Sequence, residues 1–100
     1  MNTEVVSQLT EDVTTALNAF LVQSPKSQGG WPVKMVSDTI QLLREYCAKD
    51  LPVDDRLIRA IMTLARVAVR NFEESDLETA IVKLRAYFSK TVPNFEDLEL

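Results

Sequence analysis

The segment from residue 54 to residue 72 constrains the fold of this chain most, because its apolar side chains cover much of a helix. They recur at three- and four-residue steps and, at about 100° per residue, fill roughly 160° of a helical wheel. These residues are Leu57, Ile58, Ile61, Met62, Leu64, Ala65, Ala68, Val69 and Phe72. So wide an apolar face predicts a central helix that packs against two neighbouring elements.

Three further segments show the same helical periodicity: residues 3–22, 32–48 and 75–90. Together with residues 54–72, they predict an all-α fold, a small antiparallel up-down-up-down four-helix bundle in a single domain, 1–100. Ser75, followed three residues later by a glutamate, forms a capping box and predicts where the last helix begins. The alternative is a more globular arrangement of five or six helices, if the loop 23–31 or the tail 94–100 adds a turn.

The predicted core follows the inner apolar rows of these helices. Its members are Val6, Leu9, Val13, Phe20, Val36, Ile40, Leu43, Ile58, Ile61, Leu64, Ala65, Ala68, Leu77, Ile81, Leu84 and Phe88. Trp31, immediately before the second helix, is expected to fold back and cap the end of this core. The same indole is also a candidate contact for a binding partner.

The acidic segment 94–100 follows Pro93, which ends the last helical pattern. We expect this tail to be flexible, because chain termini are commonly mobile unless tertiary contacts hold them. Its apolar residues Phe95 and Leu98 are candidate partner contacts, since they could dock in a groove. Deletion of the tail is therefore expected to leave the melting temperature nearly unchanged.

Composition limits both compartment and partners. The net charge of −4 argues against broad nucleic-acid binding by phosphate neutralisation. Cys47 is the single cysteine, which excludes an internal disulfide and fits a reducing compartment. No apolar stretch approaches the roughly 20 residues that span a bilayer, and the N-terminus lacks the pattern of a signal peptide. These features together predict a cytoplasmic protein with no membrane span.

The residue inventory gives no support for catalysis. The chain has no histidine, which removes the commonest general base and every nucleophile–histidine triad. One cysteine cannot build a thiolate metal site, and Gly29-Gly30 lacks the spacing of a phosphate-binding loop. We therefore expect no enzyme and no catalytic, cofactor or metal site.

The polar side of the third helix is the feature that points to a partner. Arg56, Arg59, Arg66 and Arg70 lie with Thr63 within roughly 80° of the wheel. These four arginines are called the arginine stripe below. One interpretation is a solvated face, in which ion pairs at four-residue spacing, Asp55 with Arg59 and Arg70 with Glu74, reduce the repulsion among the arginines. The functional interpretation is a docking strip for carboxylates, because a guanidinium pairs with them bidentately.

These observations predict a small non-enzymatic protein-interaction module that inhibits, protects or adapts another protein with an acidic surface. In layout the chain is similar to the small immunity proteins of bacteriocin producers, although those are often lysine-rich and this chain shares no motif with them. A nucleic-acid-associated regulator that uses the arginine stripe is a second alternative, although we expect no nucleic-acid partner. An apolar-ligand-binding bundle is a third. A homodimer is a further alternative, because the acidic last third of the chain could contact the stripe of another copy.

Overall fold

The computed structural model describes residues 1–27 and 30–95, and within them four α-helices account for the architecture. The helices are α1 (Thr3–Gln23), α2 (Trp31–Ala48), α3 (Asp55–Asn71) and α4 (Asp76–Thr91). A single turn of 3-10 helix, Pro25–Ser27, follows α1. No strand occurs in the described part of the chain. The all-α prediction is confirmed, and the predicted helix boundaries are correct to within one or two residues.

The four helices form a ring in which each one packs against two others. α1 contacts α2 and α4, and α3 contacts α2 and α4. Because short connections join the helices, consecutive helices run in opposite directions, as the predicted up-down-up-down bundle requires. Among the described helices, none combines the length and the hydropathy needed to cross a bilayer.

Side-chain caps fix three of the helix starts. Oxygens of Asn2, Asp54 and Ser75 accept hydrogen bonds from backbone N–H groups three residues later, at 3.2, 3.0 and 3.2 Å. Such caps satisfy donors that the first helical turn leaves unpaired. The predicted cap at Ser75 is confirmed, with one difference in the capping box. The Glu78 carboxylate accepts from the N–H of Glu74, at 3.2 Å, and not from the cap residue itself.

A left-handed residue ends α2. Asp50 has a φ of 50°, and its N–H donates to the carbonyl of Cys47 at 3.3 Å. The next N–H, that of Leu51, donates to the carbonyl of Tyr46 at 3.0 Å. This is the double hydrogen bond of a Schellman motif, with aspartate at the position that usually holds glycine. It turns the chain sharply, so that α3 starts beside the end of α2.

The core contains nearly all of the predicted residues. Fourteen of the sixteen are buried, whereas Leu9 and Phe20 are only half-buried and pack against the cluster from its edge. The Phe20 ring meets that of Phe72 edge to face, with 5.0 Å between the ring centroids. On α3, Val69 is exposed although its apolar character suggested the inner face.

Two threonines are buried in this apolar core. Thr10 and Thr39 are 2% and 5% exposed. Its hydroxyl donates to the carbonyl of Val6 at 2.7 Å, and that of Thr39 donates to Met35 at 2.9 Å. Each polar group is therefore satisfied within its own helix, which removes most of the cost of burying it.

The predicted core-capping role of Trp31 is wrong, because its side chain is 62% exposed. Trp31 is the first residue of α2, and the glycine before it is the cap residue. Helical geometry therefore directs its side chain, and the buried row of α2 lies well over 100° away around the axis. The indole stays at the surface.

Phe95 lies in the core, in contrast to the expectation of a loosely held tail from residue 94. Its side chain is 2% exposed. Asn94 has a φ of 62°, in the left-handed region that asparagine tolerates better than most residues, and this turns the chain back on α4. The guanidinium of Arg85 then lies 5.3 Å from the centre of the Phe95 ring. Leu98 and the rest of segment 96–100 lie outside the described residues.

Truncation of Ile61 tests the central position of α3. Ile61 is fully buried, so Ile61→Ala should lower the free energy of unfolding by about 2–5 kcal/mol. Val69→Ala on the same helix is the matched control, because that side chain is 56% exposed, and it should change stability by less than about 0.5 kcal/mol. Urea titrations followed by circular dichroism give both values. Equal effects of the two changes would show that α3 is not central.

Truncation of Phe95 tests whether the residues after α4 complete the core. Phe95→Ala should lower the free energy of unfolding by about 3–5 kcal/mol, because it removes a buried ring. Phe95→Leu keeps most of the buried apolar area and should cost clearly less. The measurement is again the urea midpoint and slope. A Phe95→Ala protein as stable as the parent chain would restore the view of a loose tail.

Candidate functional site

The start of α3 is held against α2 by one carboxylate. Asp54 accepts the N–H of Leu57 at 3.0 Å, and it also accepts the hydroxyl of Tyr46, which lies 2.7 and 2.8 Å from its two oxygens. Tyr46 is only 3% exposed and belongs to the core. The register of α3 relative to α2 is therefore fixed at the first turn of α3.

These contacts shift two pKa values in opposite directions. The pKa of the Asp54 carboxyl is lowered, first by the N–H of Leu57 and next by the hydroxyl of Tyr46. The pKa of the Tyr46 phenol is raised, chiefly because Asp54 accepts its proton in a hydrogen bond, and burial adds to the effect. Both groups thus hold the helix in place, and neither is prepared for proton transfer at neutral pH.

The arginine stripe runs along the outer side of α3. All four arginines of the stripe are exposed. None of them lies within 4.0 Å of a carboxylate oxygen among the described residues. The three ion pairs found there use Lys34, Arg44 and Lys49 instead, with distances of 2.9, 3.2 and 3.3 Å. Arg56 lies near enough to Asp54 to help lower the pKa of that carboxyl, but no member of the stripe forms an ion pair within 4.0 Å among the described residues.

The two ion pairs expected within this face do not form. Glu74 lies beyond the end of α3 with a φ of 63°, so helical spacing no longer brings its carboxylate to Arg70. Nothing in the structure explains why Asp55 and Arg59 do not pair. Asp55 instead adds negative charge to the first turn of α3, and Arg70 adds positive charge to the last turn. Both charges are favourable to the helix dipole.

A groove between α2 and α3 borders the stripe. Its volume is about 420 Å³. The residues that line it are Met35, Asp38, Thr39 and Leu42 from α2, and Arg56, Arg59, Ala60 and Thr63 from α3. Half-buried Met35, Leu42 and Ala60 give it an apolar floor, and two arginines of the stripe form one wall. Asp38, on the other wall, is paired with Lys34 at 2.9 Å.

Trp31 continues the α2 wall of this groove. Trp31, Met35, Asp38 and Leu42 follow one another at steps of four, three and four residues, which places them on one face of the helix. Because α2 and α3 are antiparallel, the first turn of α2 lies beside the last turn of α3, where Arg70 is. The exposed indole and the arginine stripe therefore share one side of the molecule.

Of the partner contacts predicted from the sequence, helical geometry places Trp31 and the four arginines on the same side of the α2–α3 pair. Phe95 is buried beneath Arg85 and is not available to a partner, and Leu98 lies outside the described residues. The groove residues were not predicted as a site. Their signal was present in the second apolar row of α2, which contains Met35 and Leu42 and lies beside the buried row.

This surface can bind anionic and apolar groups at once. Its guanidinium groups supply donors in a fixed fork, and the groove beside them supplies apolar area. Within the described residues there is no group of three histidine, cysteine or acidic side chains that could hold a metal ion. Comparison of the chain with models of protein families, with curated proteins and with solved structures gives no match.

The contacts of Asp54 predict a dependence of stability on acid pH. Its pKa is lower in the folded chain than in the unfolded one, so its contribution is present above about pH 4 and disappears as the pH falls through the folded value. Asp54→Asn keeps a capping oxygen but cannot titrate. Between about pH 5 and pH 2 the parent chain should therefore lose more stability than Asp54→Asn.

Tyr46→Phe provides the matching test, because it removes one of the hydrogen bonds that lower the pKa of Asp54. The acid-induced loss of stability should then be smaller than in the parent chain and complete at a higher pH, because the folded-state pKa of Asp54 moves toward the unfolded value. Urea titrations at a series of pH values measure both effects. Parallel stability curves for all three proteins would mean that Asp54 does not couple folding to protonation.

Proposed function

We propose that this chain is a non-enzymatic protein-interaction module that binds an acidic surface of another protein through the arginine stripe and modulates that protein by covering it. The observation that carries the proposal is the exposed stripe on α3, with no described carboxylate within 4.0 Å of any of its four members. A cytoplasmic location fits the single free cysteine.

The energetics favour a partner that supplies carboxylates. Like charges three or four residues apart on a helix destabilise it by about 0.2–0.5 kcal/mol per pair. Arg56 with Arg59, and Arg66 with Arg70, are two such pairs. Carboxylates from a partner remove this repulsion and form charge-assisted hydrogen bonds. Complementary charge also accelerates encounter and excludes partners of the wrong sign.

The position of the stripe also favours binding. α3 is anchored by a broad buried face and by the cap at Asp54, so the backbone beneath the arginines is already ordered before a partner arrives. Binding to a preorganised surface costs less conformational entropy than binding to a loop. On binding, only the arginine side chains themselves then have to become ordered.

A different protein fits the stripe better than a second copy does. In a symmetric dimer through this face, two-fold symmetry would place one stripe against the other, and arginines would oppose arginines. Nucleic acid fits less well, because the whole chain carries a net charge of −4 and Glu73 and Glu74 lie just beyond one end of the stripe. The proposed partner is therefore a protein with clustered carboxylates.

Charge reversal at two positions tests the proposal. Arg59→Glu with Arg66→Glu should abolish recovery of the partner from a lysate of the source cell while the melting temperature changes little, because attraction becomes like-charge repulsion. Single surface ion pairs contribute only about 0–1 kcal/mol, so a single change to alanine would be too weak a test.

The matched control is Lys83→Glu with Lys90→Glu on α4. Both lysines are exposed and, like Arg59 and Arg66, they are seven residues apart, so the control introduces the same total change in charge. It should leave recovery of the partner intact. Proteins retained by each variant are identified by mass spectrometry. Equal recovery by both double variants would reject the stripe as the binding surface.

A further inference from the structure

We propose that the partner segment is an amphipathic helix that lies in the groove between α2 and α3, with its carboxylates on the arginine stripe and its apolar side chains on the groove floor. This inference rests on the proposed function and specifies the kind of partner. It draws on three features: the spacing of the arginines along α3, the chemistry of the groove floor and the distribution of charge on the groove walls.

The stripe as a whole matches a helix of about four turns, and the groove, lined from Arg56 to Thr63, accompanies about two of them. Arg59 and Arg66 are seven residues apart, and Arg56 and Arg70 are fourteen apart. At about 1.5 Å per residue, these separations are roughly 10 Å and 21 Å along the axis of α3. A second helix running alongside would repeat its own side chains over the same distances. Carboxylates two turns apart on the partner would therefore meet guanidinium groups two turns apart on α3.

The floor of the groove is suited to apolar side chains. Met35 and Leu42 are half-buried and pack at the edge of the core, and half-buried Ala60 lines the groove beside them. Thr39 is the polar residue beneath them, and its hydroxyl already donates to the carbonyl of Met35 at 2.9 Å. A partner side chain on this floor thus gains buried area without having to satisfy that hydroxyl. Grooves between helices commonly bind the apolar face of an added helix.

The two walls of the groove differ in charge. On the α3 wall, Arg56 and Arg59 have no carboxylate within 4.0 Å among the described residues. On the α2 wall, the carboxylate of Asp38 forms an exposed ion pair with Lys34 at 2.9 Å. The acidic flank of a partner helix is therefore drawn toward α3, which fixes its rotation about its own axis. Trp31, at one end of the α2 wall, adds an exposed ring of the kind that often anchors interfaces.

A pair of designed peptides tests this arrangement. The first is a fifteen-residue helix of leucine, alanine, glutamate and glutamine, with leucines on one face and glutamates along one flank. The second has the same composition in an order that forms no apolar face. Neither contains tryptophan, so the fluorescence of Trp31, the single tryptophan of the chain, reports binding. The amphipathic peptide should bind at least about tenfold more tightly than the scrambled one and shift this emission to shorter wavelength.

Variants of the groove make the test specific. Ala60→Leu fills the floor while all four arginines remain, and it should weaken binding of the amphipathic peptide at least about tenfold. Ala86→Leu, at an exposed site on α4, is the matched control and should leave the affinity unchanged. Thr63→Glu, at an exposed position in the groove, should also weaken binding. This second variant keeps the test valid if Ala60→Leu lowers the melting temperature.

The outcomes separate this inference from the proposed function. Equal binding of the two peptides would overturn the proposed helix in the groove. If the double reversal of Arg59 and Arg66 abolished binding of both peptides, an acidic partner on the stripe would still be supported. Binding of neither peptide would also overturn the helix, as would tighter binding of duplex DNA than of the amphipathic peptide. Peptide binding that survives both Ala60→Leu and Thr63→Glu would place the helix elsewhere.

Discussion

Burial of the wide apolar face of α3 is the constraint on which the rest of the structure depends. Residues from Leu57 to Ala68 fill the space between α2 and α4, so the direction of every arginine on the opposite side is determined by what is packed behind it. The polar arc is narrow because the apolar arc is wide. The same pattern therefore drives folding and exposes the stripe. A helix with a narrower buried face could rotate about its axis, and its charges would then face either neighbouring helix.

Much of the fold could be predicted from the sequence because helical periodicity repeats over several turns. The apolar rows defined four helices, and the capping box at Ser75 marked the start of the last one. The core prediction failed at its edges. Leu9 and Phe20 have the right chemistry, but their exposure depends on how two helices cross. Thr10 shows the opposite case, because a hydroxyl satisfied by the carbonyl of Val6 can be buried among apolar side chains.

The candidate site was predicted only in part, since a groove belongs to two helices and periodicity describes one helix at a time. The arginine stripe was visible because its members share α3. Met35 and Leu42 became part of a surface only once α3 lay beside them. The ends of the chain were the hardest to predict. Burial of Phe95 depends on the left-handed turn at Asn94, and exposure of Trp31 follows from a helix that begins one residue earlier than expected.

The contact between the first and last helices has a consequence for synthesis of the protein. α1 packs against α4, and Phe95 enters the core after α4 has ended. The ring of helices therefore cannot close until nearly all of the described chain has left the ribosome. Until then, the apolar row of α1 has only α2 to cover it, which exposes the nascent chain to chaperones and proteases. A chain truncated before Phe95 would have an incomplete core.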